Sequence, residues 1–126
     1  MSKGRILIVE DDPLIAMTMH QVLTLVGFEI SGTAATVSDA LCLAENTRPD
    51  LAVLGIRLAG RRDGIEGAAL LRQRLGLPVV FVAAQGDSAA RRRAARLGPV
   101  AFLDKPVHAQ QLVEVIDHAI SNHRNN

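Results

Sequence analysis

The sequence predicts an α/β fold, a five-stranded parallel sheet doubly wound by helices as (βα)5 in the flavodoxin-like strand order 2-1-3-4-5. Two observations carry this expectation. Five short apolar runs, at 5–9, 28–34, 51–54, 78–83 and 100–103, are spaced along the chain, and each is followed by a longer segment of helical periodicity. The first run, "RILIV", is continuous and rich in β-branched residues, the pattern of a strand covered on both faces. Strict strand–helix alternation implies a parallel sheet with helices on both sides. Right-handed crossovers leave few topologies, and 2-1-3-4-5 is a common one.

Each element has a local justification. After the first run, Asp12 is a good helix N-cap and Pro13 suits the first helical position. The spacing predicts a helix over 13–26 with Ile15, Met19, Val22, Leu23 and Val26 on one face, stopped by Gly27. "FEISGTA" is a weaker strand, interrupted by Gly32. Ser38 and Asp39 open a second helix, with Val37, Leu41 and Ala44 apolar, to about Asn46, and Pro49 blocks its continuation. "LAVL" is the third strand, and the loop "GIRLAGRRDG" leads into a helix over 65–75. "PVVFVA" is the fourth strand. Asp87 or Ser88 caps a helix with an Ala90, Ala94 and Leu97 stripe that ends at Gly98–Pro99. "VAFL" is the fifth strand, and a last helix runs to about Ser121 with Leu112, Ile116, Ala119 and Ile120 inward. One domain over 1–126 is expected, with its core at about 4–121 and a polar tail at 122–126.

With 126 residues, 48% of them hydrophobic, the chain has material for a core without disulfides or metals. Aromatics make up only 2%, with no Trp and no Tyr, so the core is aliphatic and stacking platforms for single-stranded nucleic acid or sugars are excluded. A net charge of +1 advertises no polyanionic partner. Cys42 is the one cysteine, expected to be buried and inert, and no Cys/His ligand spacing exists. No apolar run is long enough to span a membrane, and the N-terminus turns acidic too soon for a signal peptide, so a soluble cytoplasmic protein is expected.

Ligand sites in open α/β sheets lie outside the carboxyl ends of the strands, at the point where strand order reverses. Those ends carry Glu10, Asp11 and Asp12; Gly55, Ile56 and Arg57; Ala83 and Ala84; and Asp104, Lys105 and Pro106. Adjacent carboxylates repel unless a Mg²⁺ ion or the Lys105 ammonium neutralises them. A plainer reading is that Asp12 caps its helix while Glu10 and Asp11 are solvated. Composition leaves both open.

"ILIVEDDP", "RPDLAVLGIRL", "DGIEGAALLR", "LPVVFVAA" and "AFLDKP" resemble the motifs of response-regulator receiver domains, the phosphoacceptor modules of two-component signalling. The likeness covers roughly residues 4–121. It implies that Glu10 and Asp11 correspond to the acidic pair that holds Mg²⁺. Arg57 stands where a backbone carbonyl ligates the metal, and Lys105 where a lysine contacts the phosphoryl group. Lys105–Pro106 matches a cis bond, and Phe102 matches an aromatic that changes rotamer on activation.

Two positions depart from the pattern. Gly55 stands where the family has its phosphoacceptor aspartate, and Ala83 where it has a switch Ser or Thr. Phosphoryl transfer of this type needs a carboxylate nucleophile beside the metal, and glycine is neither nucleophile nor ligand. Alanine has no hydroxyl to donate to a phosphoryl oxygen. A vestigial phosphorylation pocket of Glu10, Asp11, Gly55, Ala83 and Lys105 is therefore expected, without catalytic residues. No cofactor is expected, Mg²⁺ binding should be weak or lost, and Lys105 should lean toward Glu10 or Asp11.

Arg91, Arg92, Arg93 and Arg96 read either as a solvated helical face or as a docking surface for an acidic partner, next to Phe102 and Pro106 on the family's output side. Arg57, Arg61 and Arg62 read as solubilising, or as bringing positive charge toward the acid pocket. His20, His108, His118 and His123 lack metal-ligand clustering, and Met17 and Met19 read as helix packing.

The expected function is that of a stand-alone pseudo-receiver, a non-enzymatic, phosphorylation-independent protein-interaction module. Its partner would be a histidine kinase, a phosphotransfer protein or another regulator. Nucleic acid and membrane partners are not expected, and a homodimer through the fourth helix, fifth strand and fifth helix is open. The alternatives are a conventional receiver seen as an Asp-to-Gly site mutant at position 55 and a flavodoxin-like small-ligand binder. The absence of aromatics and of a Gly-rich loop after the first strand disfavours the latter.

Overall fold

The computed structural model describes residues 2–125, with side chains described through Asn122. Ten elements alternate as expected: β1 (Arg5–Val9), α1 (Pro13–Leu25), β2 (Glu29–Ala34), α2 (Val37–Thr47), β3 (Leu51–Gly55), α3 (Gly64–Leu75), β4 (Val79–Ala83), α4 (Ser88–Ala95), β5 (Ala101–Asp104) and α5 (Ala109–Asn125). All strand pairs are parallel, and the sheet order is β2-β1-β3-β4-β5. Residues 6–9 of β1 are fully buried because successive side chains feed opposite cores. Leu7 and Val9 pack with α2, α3 and α4, whereas Ile6 and Ile8 pack with α1 and α5.

Capping chemistry sets where the helices start. Asp12 accepts from the backbone N–H groups of Leu14 and Ile15 at 2.9 and 3.4 Å, with Pro13 in the first turn. Asp63 and Glu66 form a reciprocal capping box on α3. Asp87 caps α4 through the N–H of Ala90. On α2 the cap is Thr36, not Ser38 or Asp39: its hydroxyl accepts from Asp39 N–H at 3.1 Å. Burial of Val37 at 3% exposure draws the helix start back onto the core.

Other expectations are corrected by facing. Cys42 is exposed, because the buried stripe of α2 is Val37, Ala40, Leu41 and Ala44, and the position after Leu41 rotates outward. Met17 is 52% exposed for the same reason, since α1 buries Ala16, Met19 and Leu23; Val26 is 38% exposed at the C-cap. Gly32 does not interrupt β2. A one-residue register shift opposite Ile6 and Leu7 accommodates Ser31 as a bulge, and Leu43 packs where a Gly32 side chain would stand. β5 starts at Ala101 and takes in Asp104, and α5 continues through Asn125, four residues beyond the expected end. Met1, Asn126 and the side chain of His123 lie outside the described residues. No helix among the described residues is long and apolar enough to cross a membrane.

Candidate functional site

The carboxyl ends of β1, β3, β4 and β5 bring the site together. Glu10 continues β1 by donating its N–H to Ala34 at 2.9 Å, and its side chain is fully buried. One oxygen, Oε2, accepts from Asp12 N–H at 3.0 Å, so the acidic turn is folded back on itself. The other, Oε1, lies 3.1 Å from Lys105 Nζ. That contact is an ion pair without hydrogen-bond alignment, and Oε1 has no hydrogen-bond partner. Its charge is compensated while its lone pairs are not. Lys105 is placed for the contact by its own N–H, which donates to Ala83 O at 2.8 Å and prolongs the β4–β5 ladder; the following Lys105–Pro106 bond is cis. Of the two acids expected to meet Lys105, Glu10 does so, while Asp11 is exposed and makes no side-chain hydrogen bond or ion pair among the described residues.

Gly55 is buried at the end of β3 beside this pair. A Cβ at position 55 would stand 3.0 Å from Glu10 Oε1 and 3.5 Å from Leu58 Cδ2. The Glu10 carboxylate thus crowds the first atom of any side chain there. Ala83 is buried at 4% exposure and offers no donor. Arg57 is exposed; with Lys105, Ala83, Ala84 and Asp87 it lines a small cavity of about 60 Å³. Among the described residues no group of three His, Cys, Asp or Glu side chains is arranged to hold a metal ion. The two oxygens of Glu10 face the Lys105 ammonium and the backbone N–H of Asp12.

Because Glu10 is fully buried, Lys105 is its main compensation. Lys105→Met is expected to lower stability by about 2 kcal/mol, less than for a fully buried pair because Lys105 keeps 30% of its side chain exposed. Urea unfolding measures this, and Glu10→Gln in the same background should recover most of the loss.

The four arginines of α4 and its C-cap, Arg96, divide into two pairs. Arg91 sits 4.3 Å over the Phe102 ring and donates to Asp104 Oδ1 at 2.8 Å. Phe102 in turn leans on Phe81, with ring centroids 6.1 Å apart. Arg93 reaches Asp63, the cap of α3, at 3.0 Å. Arg92 and Arg96 point outward and pair with no acid among the described residues. The sequence run therefore overstates the free charge of this face, because two of its four arginines hold α4 to β5 and α3. Arg91→Gln is expected to turn a single Phe102 χ1 population into an average of rotamers, read from NMR couplings. The stability cost should stay near 1 kcal/mol, as this ion pair is half exposed. Pro106 lies elsewhere, in an apolar groove of about 570 Å³ with Leu14, Met19 and Leu112.

Arg61 and Arg62 do not approach the acid pocket. They line a separate groove against α2. Sequence reasoning missed this placement and the Arg91–Phe102 and Arg93–Asp63 contacts, since each joins side chains of different elements that only the tertiary fold brings together.

The Response regulator receiver domain family matches residues 6–117. The chain is 35% identical over 120 residues to the transcriptional regulatory protein PdtaR of Mycobacterium tuberculosis, covering 95% of this chain and 58% of that one. It is 31% identical over 116 residues to the phyllosphere-induced regulator PhyR of Methylorubrum extorquens, covering 91% and 43%. The chain thus spans about half the length of these relatives. Among solved structures, the signal receiver domain of a modulated diguanylate cyclase from Desulfovibrio desulfuricans superposes with a TM-score of 0.90 at 36% identity, covering 96% of both chains. A CheY-like receiver domain protein from Methanospirillum hungatei gives 0.85 at 28% identity, again with 96% of both covered. With the sheet order, the acidic turn after β1 and the Lys–Pro after β5 already in place, the chain belongs to the response regulator receiver domain family.

Proposed function

We propose that this receiver domain works in two-component signalling without accepting phosphate at position 55, as a protein-interaction module. The observation that carries the reading is the Glu10–Lys105 pair beside Gly55: Lys105 already has an anionic partner, and Glu10 Oε1 lies 3.0 Å from where a Cβ at position 55 would begin. Ala83 supplies no hydroxyl to sense a phosphoryl oxygen, and Arg91 holds Phe102 instead. Mg²⁺ is expected to bind weakly or not at all, because only Glu10 and Asp11 remain as acidic ligands and Glu10 is engaged. The partner is a histidine kinase, a phosphotransfer protein or another regulator, met through α4, β5 and α5, where Arg92 and Arg96 favour an acidic surface. The same face is available to a homodimer.

Affinity capture from the native host tests this, using the chain as it stands and Gly55→Asp, each with and without a phosphodonor and Mg²⁺. The reading expects the same partner at the same yield from the unaltered chain under both conditions. Recovery only by the phosphorylated aspartate variant would overturn it.

A further inference from the structure

The arginine-rich loop "GRRDG" has no part in the site above, and its placement points to a second one. A groove of about 580 Å³ runs between α2 and the β3–α3 loop, within the size range of ordinary ligand sites. Its wall is anchored: Thr36 and Ala59 form a parallel β-bridge, and Ala59 N–H donates to Ala35 O at 3.2 Å. Gly60, at φ +89°, turns the chain immediately before Arg61 and Arg62. Cys42 and Ala59, both exposed, contribute apolar surface above the buried Val37 and Leu41, and Arg74, paired with Glu45 at 3.4 Å, lies on the lining as well.

The charges here do not balance. Arg61 and Arg62 are exposed and form no ion pair with any acid among the described residues. The nearest loop acid, Asp63, is already committed to the α3 cap and to Arg93. With Arg74 included, the lining carries three guanidinium groups and one carboxylate. Guanidinium pairs well with planar carboxylates in two-bond geometry. From Val37 to Glu45 the helix rises about 12 Å, the reach of about four extended residues.

We propose that this groove binds a short acidic peptide segment of a partner protein, with carboxylates on Arg61 and Arg62 and an apolar side chain against Cys42 and Ala59. The site lies on the α2–α3 side of the sheet and shares no lining residue with the Glu10–Lys105 pair.

The test is an NMR titration of the ¹⁵N-labelled chain with acetyl-Glu-Leu-Glu-Leu-amide, its Gln-for-Glu analogue, and inorganic phosphate. The expected result is saturable shifts confined to residues 36–45 and 57–63 with the acidic peptide. The neutral analogue and phosphate should be weaker by about tenfold or more, the factor that corresponds to losing one good charged contact. Arg61→Gln/Arg62→Gln should lose the shifts, and Arg92→Gln/Arg96→Gln should keep them; both pairs are exposed, so folding is retained. Shifts centred on α4, equal shifts from phosphate or the neutral peptide, or an undiminished response in the Arg61/Arg62 variant would each overturn the proposal.

Discussion

Gly64→Ala is expected to destabilise the domain by about 3 kcal/mol, the upper range for forcing atoms into a packed site. The cause is not conformational, since the residue opens α3 in ordinary helical geometry. Its N–H donates to Ile56 O at 2.7 Å, which draws the first turn of α3 onto the end of β3. A Cβ at position 64 would overlap the carbonyl oxygen of Gly55. That atom belongs to a buried backbone segment and cannot swing aside as a side-chain tip can. Urea unfolding should show a lower midpoint with an unchanged slope. Gly86→Ala provides the contrast: its φ is +88° but nothing lies within 4 Å of the added atom, so only the conformational cost of about 1 kcal/mol applies. Equal losses at the two positions would refute the close-approach account.

Gly55→Asp is expected to make stability depend on magnesium. The new carboxylate would enter beside the Oε1 of Glu10, which lies 3.0 Å from its Cβ, and two buried carboxylates repel. Lys105 can compensate one of them. Without divalent ions the variant should lose about 2 kcal/mol. Restoring a third acid also supplies a hard-cation site, so Mg²⁺ at tenfold over its dissociation constant should return about 1.4 kcal/mol. Thermal unfolding with Mg²⁺ and with chelator measures both effects. The unaltered chain should show no shift between the two conditions. A magnesium response of equal size in both proteins would mean that Glu10 and Asp11 suffice, and the Glu10–Lys105 pair would then not be the resting arrangement.

The two glycines illustrate what a sequence can and cannot convey. Gly55 was legible because the acidic turn, the Lys–Pro step and the strand ends fall in an order that leaves one conspicuous position. Gly64 was not, because its requirement arises from a backbone approach between β3 and α3 that no periodicity encodes. The core faces of α4 and α5 followed from apolar spacing, since burial on a sheet enforces that spacing directly, while the strand order followed from strand–helix alternation and the few topologies that right-handed crossovers allow. The start of α2 was less legible than those of α1 and α4. Thr36, Ser38 and Asp39 all cap well, and the choice was made by Val37 reaching the core.

Charged side chains were the least legible feature. Four arginines within six residues of α4 and its C-cap look alike in sequence, yet one stacks on Phe102, one reaches the α3 cap and two face solvent. Arg61 and Arg62 follow Gly55 closely in the chain but lie against α2. Long flexible side chains take partners from whatever element folds beside them, and that information is tertiary.

The most direct measurement is the intact mass of the unaltered chain after incubation with acetyl phosphate and Mg²⁺, beside Gly55→Asp treated identically. The account predicts no added phosphoryl group on the unaltered chain and one acid-labile group on the aspartate variant. A stoichiometric phosphoryl adduct on the unaltered chain, mapped to Glu10 or Asp11, would contradict it.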